Sequence, residues 1–119
     1  MNIELKGYME SVATFYADNA TPEYPVKISA NKKVADAANG DIFAGIAVNF
    51  RPGVAGSGFA GVQTAGYAEL PFSGTAPALG YKELAADGAG GVKAVTAGTG
   101  RVYLVVNADA NAKRIGFIL

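Results

Sequence analysis

The chain contains no histidine, no cysteine and no tryptophan. Histidine is the usual general base near neutral pH, and His and Cys are the usual transition-metal ligands. Without them, neither a Ser-His-Asp nor a Cys-His nucleophile arrangement can be built, nor the common zinc sites. No disulfide framework is possible, which fits a chain made in a reducing compartment. No apolar run approaches the roughly 18 residues that a membrane-spanning helix needs. The N-terminal MNIELKGYMES carries early acids and has no apolar core, so it does not read as a signal peptide. Neither sign of charge is in excess: ten basic residues balance ten acidic ones. Nucleic-acid binders show a basic excess or stripe. Here the only adjacent cations are Lys32-Lys33 and Lys113-Arg114, which read as solvated turns. Neither nucleic acid nor a membrane is expected as a partner.

What is present is small and turn-forming. At 119 residues the chain fits one domain. Half of it is hydrophobic, but much of that half is alanine, which buries little area. Sixteen glycines add conformational entropy to the unfolded state. Such a domain is expected to be marginal alone and to gain stability by oligomerising or docking.

Short apolar segments alternate with glycine-rich turns. Val26–Ala30 alternates apolar and polar residues, as a half-buried strand does. Residues 34–38 have the composition of one helical turn. Residues 42–50 (IFAGIAVNF) form the most strand-like early segment, and Gly45 within it predicts a bulge or a close backbone approach. A glycine-rich loop from Arg51 to Gly61 precedes a strand at 62–72, whose Pro71 belongs at a sheet edge. Segments 81–85 and 92–96 read as partners, 101–107 as the strongest strand, and 113–119 as the last. Short strands at this spacing predict an all-β fold, a small single-domain barrel or sandwich. Residues 1–25 read as an irregular N-terminal arm with room for one short strand at 11–16, and 26–119 as the β domain.

Three patterns bear on chemistry. Gly56-Ser57-Gly58-Phe59-Ala60-Gly61 matches G-x-G-x-x-G literally, but a strand follows it and no βαβ unit surrounds it. It reads as a surface loop with an aromatic at its tip. Glu69 and Glu83 sit on segments close enough in sequence to converge, which is the minimum for acid-base work by paired carboxylates. No EF-hand spacing is present. No catalytic residue, cofactor or metal site is assigned. Val102, Leu104, Val106, Phe117 and Leu119 read as core or sheet-packing residues. The aromatics Tyr8, Phe15, Tyr16 and Tyr24 fall in the irregular arm, where core burial is less assured. Tyrosine and phenylalanine suit contact surfaces because they are large and stiff. With Arg51 and Phe59 in the glycine loop, these four make the expected partner-binding set.

The order of segments resembles a known family. Ala38-Asn39-Gly40-Asp41-Ile42-Phe43-Ala44-Gly45-Ile46-Ala47 is followed by Val62-Gln63-Thr64-Ala65-Gly66-Tyr67-Ala68-Glu69-Leu70-Pro71, then by residues 79–88 and a terminal strand pair. This is similar to the small capsid decoration (cement) proteins of tailed bacteriophages, over roughly residues 25–119. The chain departs from that pattern at Leu79-Gly80-Tyr81 and in the loop Arg51–Gly61. The resemblance implies a non-enzymatic structural protein of the virion, made in the bacterial cytoplasm and bound to the outer surface of the head. It implies the major capsid protein as partner, a homo-oligomer, commonly a trimer, and a clamp on the lattice. With the aromatic arm read as ordering on docking, removing residues 1–20 is expected to abolish capsid binding and to leave the β domain folded. The alternative is a free-standing β module that binds a carbohydrate or peptide on a concave patch of aromatics. A small carboxylate hydrolase ranks last, since nothing in the sequence names its substrate.

Overall fold

The computed structural model describes residues 10–53, 58–96 and 98–119. They form ten strands in two sheets and no helix. The first half closes into a barrel of β1 (Ser11–Ala17), β2 (Pro25–Ala30), β3 (Lys33–Asp36), β4 (Gly45–Arg51) and β5 (Phe59–Ala65), in the order β1-β3-β2-β4-β5. The ring closes where β1 runs antiparallel to β5 and parallel to β3. The second half is a five-stranded antiparallel sheet of β6 (Tyr67–Pro71), β7 (Gly80–Ala86), β8 (Val92–Ala94), β9 (Arg101–Asp109) and β10 (Arg114–Ile118), in the order β6-β10-β9-β7-β8. The all-β expectation is met, with both a barrel and an open sheet.

The alanine-rich composition finds its place in the barrel. Its interior is filled by Ala17, Ala20, Val26, Val34, Ala47, Ala60 and Val62. A five-stranded barrel has a narrow lumen, and small side chains let the strands close around it. Gly45 belongs to the same economy. A side-chain carbon there would run into the backbone carbonyl of Gln63 on β5, so β4 begins where only glycine fits. The close approach expected at Gly45 is therefore present.

The larger side chains build the second core. Leu70, Leu84, Val92, Tyr103, Val105, Ile115 and Phe117 come from the sheet, and Phe43 and Ile46 reach in from the barrel half. Phe43 lies in the connection before β4. Its ring stacks on Tyr103 at 4.9 Å and meets Phe117 edge-on at 6.1 Å. The Tyr103 hydroxyl donates to the Phe43 carbonyl at 2.9 Å. Burial pushes the pKa of that hydroxyl up, against the pull of nearby Arg101, and so favours the protonated donor. Two backbone bonds stitch the same connection to the end of β7, Gly40 N–H to Ala86 O and Ala86 N–H to Asp41 O, both 2.9 Å.

Several local readings are corrected. Residues 33–36 are a strand, not a helical turn, because they bridge β2 and β1 in the ring. The segment 62–72 is two strands in two sheets, divided at Gly66, whose φ of 94° is a left-handed conformation. The buried Gln63 amide holds that corner by donating to the carbonyls of Ala65 and Tyr67 at 3.1 and 2.9 Å. On β9 the core side is Tyr103 and Val105, while Val102 is 54% exposed. Val106 falls at a register shift and has no strand partner on β10, since Asn107 pairs with Gly116 and Val105 with Phe117. The short strand expected at 11–16 is present as Ser11–Ala17, and it is a member of the barrel. Pro71 does end an edge strand, β6.

Candidate partner-binding face

The outer surface of the barrel gathers part of the expected set into one row. Arg51 on β4 pairs with Phe59 on β5, Phe59 pairs with Tyr16 on β1, and Tyr16 pairs with Lys33 on β3. Directly opposed residues point to the same face of a sheet. The alternate positions confirm the direction: Ala17, Ala60 and Val34, one residue along, are the buried lining of the barrel. Tyr16 is 56% exposed and Phe59 44%. The local backbone is held by Tyr16 N–H to Lys32 O at 2.8 Å and Ala17 N–H to Gly58 O at 2.9 Å. Four strands of a closed ring thus carry two aromatics between two cations. Lys33 is ion-paired with Asp18 at 2.7 Å.

Beside the row is a shallow depression of about 390 Å³, lined by Thr14, Phe15, Tyr16, Lys32 and Phe59. Phe15 is half-buried, since its strand position faces the barrel interior. Lys32 stands at a turn with φ of 56°, which directs the chain from β2 into β3. Chemically this is an apolar hollow with cations at its edge. It can take an apolar side chain beside an acidic one by burial and charge attraction.

Other candidates go elsewhere. Tyr24 is 37% exposed and its ring lies across Gly90, on a different hollow between barrel and sheet. That hollow, of about 460 Å³, also meets Glu10, Glu23, Glu69 and Arg114. Tyr8 lies outside the described residues, as do Gly56 and Ser57 of the glycine loop. Phe59 is not a loop tip: it is the first residue of β5. Glu69 and Glu83 do not converge. β10 and β9 separate their strands, a gap of about 14 Å at the usual strand spacing. Glu69 accepts from the Tyr67 hydroxyl at 2.8 Å, and Glu83 accepts from Gly98 N–H at 2.8 Å and Gly100 N–H at 3.2 Å. Both carboxylates therefore have structural work. Sequence reasoning read Lys32 and Lys33 only as a solvated turn. The signal for their place in the row is a pairing across 17 residues, which short-range patterning does not carry.

No protein-family profile matches the sequence, and no curated protein matches it. Among solved structures, the two-part β architecture is similar to the crystal structure of the head fiber gp8.5 N base in bacteriophage phi29. The likeness spans 93% of this chain and 94% of that one, with a TM-score of 0.58 and 14% sequence identity. At that identity it establishes a shared fold.

Proposed function

We propose that this chain is a structural protein of a tailed-phage head. It docks on the outer capsid surface as a decoration protein, has the major capsid protein as its partner, and performs no catalysis. The observation that carries the reading is the end-to-end likeness to the base of a phage head fiber, barrel and sheet together. The sequence resemblance to cement proteins points the same way from different data. The exposed row of Arg51, Phe59, Tyr16 and Lys33 is the face we assign to the capsid. A decoration protein needs only a modest contact, because a lattice presents many identical sites at fixed geometry and a multimeric clamp engages several together. Following the resemblance, we take that multimer to be a trimer.

The test is co-sedimentation of the purified chain with expanded and unexpanded heads of the encoding phage. Saturable binding at a fixed ratio to the capsid subunit is the expected result, and no binding to either form overturns the reading. Tyr16→Ala and Phe59→Ala remove aromatic area from a solvent face, so each is expected to change stability by under about 0.5 kcal/mol. Each is expected to weaken head binding at least tenfold. Unchanged occupancy by both variants would move the contact off the barrel.

The hollow beside Tyr16 gives a second reading a specific footing. Exposed aromatics on strands, next to a cation, are also how a small module holds a peptide or a sugar. Under that reading, a soluble glycan or peptide saturates the chain without any head, and Phe59→Ala abolishes the binding.

A further inference from the structure

The connection between β3 and β4 carries a dipeptide with chemistry of its own. Asn39-Gly40 is the one place in the chain where glycine follows asparagine. An asparagine side chain can be attacked by the backbone nitrogen of the next residue, and glycine, having no Cβ, hinders that attack least. The pair occupies the centre of a tight turn. Asp41 N–H donates to Ala38 O at 3.0 Å, and Gly40 has φ of 89°, the left-handed form that a type II turn requires at its third residue. Asn39 and Gly40 are both exposed, so water reaches them.

Two contacts oppose the attack. Gly40 N–H donates to Ala86 O at 2.9 Å, which engages the nucleophile. Gly88, at φ of 80°, lies against Asn39: a Cβ there would come within 3.0 Å of both Asn39 N and Asn39 Cβ. Both contacts belong to the seam where this connection meets the end of β7. Asp87-Gly88 offers related chemistry, but its carboxylate is held by Ser73, Ala89 and Gly91.

We propose that Asn39 is a site of spontaneous deamidation gated by this seam. Hydroxide takes the Gly40 N–H proton, and the nitrogen lone pair forms a bond to Asn39 Cγ. The Cγ–Nδ2 bond then breaks, and ammonia leaves with a proton from water. A second water opens the five-membered imide at either carbonyl and leaves an aspartyl or an isoaspartyl residue at position 39. The imide has no N–H, so the bond to Ala86 O must be lost for it to form. Removal of the same proton by hydroxide starts amide exchange, which a donated hydrogen bond suppresses until the segment opens. The rate at Asn39 therefore follows the opening of the seam, and the product is an irreversible record of it. The isoaspartyl product also lengthens the main chain by one carbon inside the turn. That is the point where Gly40 and Asp41 are bonded to Ala86 and where the chain leads into Phe43.

The experiment incubates the full chain in mildly alkaline buffer, native and unfolded in guanidinium chloride, beside a free peptide of residues 36–42. Peptide mapping by mass spectrometry follows position 39, and hydrogen exchange follows the Gly40 amide of the native chain. The unfolded chain is expected to react at the rate of the peptide, and the native chain at least tenfold more slowly. Guanidinium below the unfolding midpoint is expected to raise deamidation at Asn39 and exchange at Gly40 by the same factor. A native chain that reacts as fast as the peptide overturns the gate, as does deamidation that rises while exchange at Gly40 stays fixed. An unfolded chain that deamidates no faster at Asn39 than at Asn111 overturns the site. Asn39→Gln, whose longer side chain closes the ring poorly, is expected to keep the β signal in circular dichroism and to lose the product; product that persists elsewhere in the turn peptide overturns the assignment to Asn39.

Discussion

At the scale of single residues, this fold uses carboxylates to fasten turns. Asp87 is the clearest case. One of its oxygens accepts from the N–H groups of Ala89 and Gly91 at 2.7 and 2.9 Å, and the other from the Ser73 hydroxyl at 2.5 Å. Partial burial works against the charged form, but the hydrogen bonds from Ser73, Ala89 and Gly91 outweigh it and hold the carboxyl below its ordinary value. Asp41 is lowered too, chiefly by its hydrogen bond with Lys27 and then by that from Ala38 N–H. A carboxyl with a depressed folded pKa binds its proton more weakly folded than unfolded. Its stabilising contribution is complete above the unfolded value of about 4 and is lost as pH falls through the folded one. Asp87→Asn is therefore expected to be less stable than wild type at pH 7 and to close much of that gap by pH 3. Urea melts at the two pH values measure it. A gap that widens in acid would contradict the assignment.

At the scale of strands, closure of the barrel decides what can be removed. β1 supplies one wall and pairs on both sides. Deleting residues 1–20 takes that wall away and exposes the edges of β3 and β5. The truncated chain is expected to lose barrel structure, seen as lost amide protection in β2 to β5. This replaces the expectation that the β domain survives the deletion, and it makes point variants the better probe of binding. Gly45→Ala tests the same closure more gently. The added methyl meets the Gln63 carbonyl, a backbone atom that cannot swing aside. A loss of about 1–3 kcal/mol in denaturant unfolding is expected, in the range for overpacking a tight contact. The sequence made most strands legible because their punctuation is local: glycine turns, and apolar-polar alternation in Val26–Ala30. It did not show which strands close a ring. Gly66 looked like an interior strand residue, because the apolar residues around it continue on both sides of the corner. The core face of β9 was misread because all five residues from Val102 to Val106 are apolar and carry no alternation to read. Of the candidate site, Tyr16, Phe59 and Arg51 were named from aromatic type and loop context, but their alignment depends on long-range register.

At the scale of the whole molecule, the question is whether barrel and sheet act as one body. In the proposed role a clamp on a lattice would transmit load between its contact face and its neighbours, and a hinge between the halves would weaken it. The chain passes between them at Gly66, which alone would be a flexible joint. Phe43 removes that freedom. It belongs to the barrel half by sequence and to the sheet by packing, and its surroundings include Tyr103 and Phe117. The bonds of Gly40 and Asp41 to Ala86 fix the backbone that carries it. At the far end, Leu119 N–H donates to Gly66 O at 2.9 Å and ties the last residue to the corner. The two halves are therefore expected to unfold together, with the slowest-exchanging amides of β5 and β9 reporting the same free energy. Phe43→Ala deletes a fully buried ring, at a cost of about 3–5 kcal/mol. If the halves are coupled, protection falls in β5 as well as in β9, although no atom of β5 belongs to the sheet's core cluster. Protection lost in β9 alone would mean that the barrel stands independently and that the chain is jointed at Gly66 rather than a single rigid body.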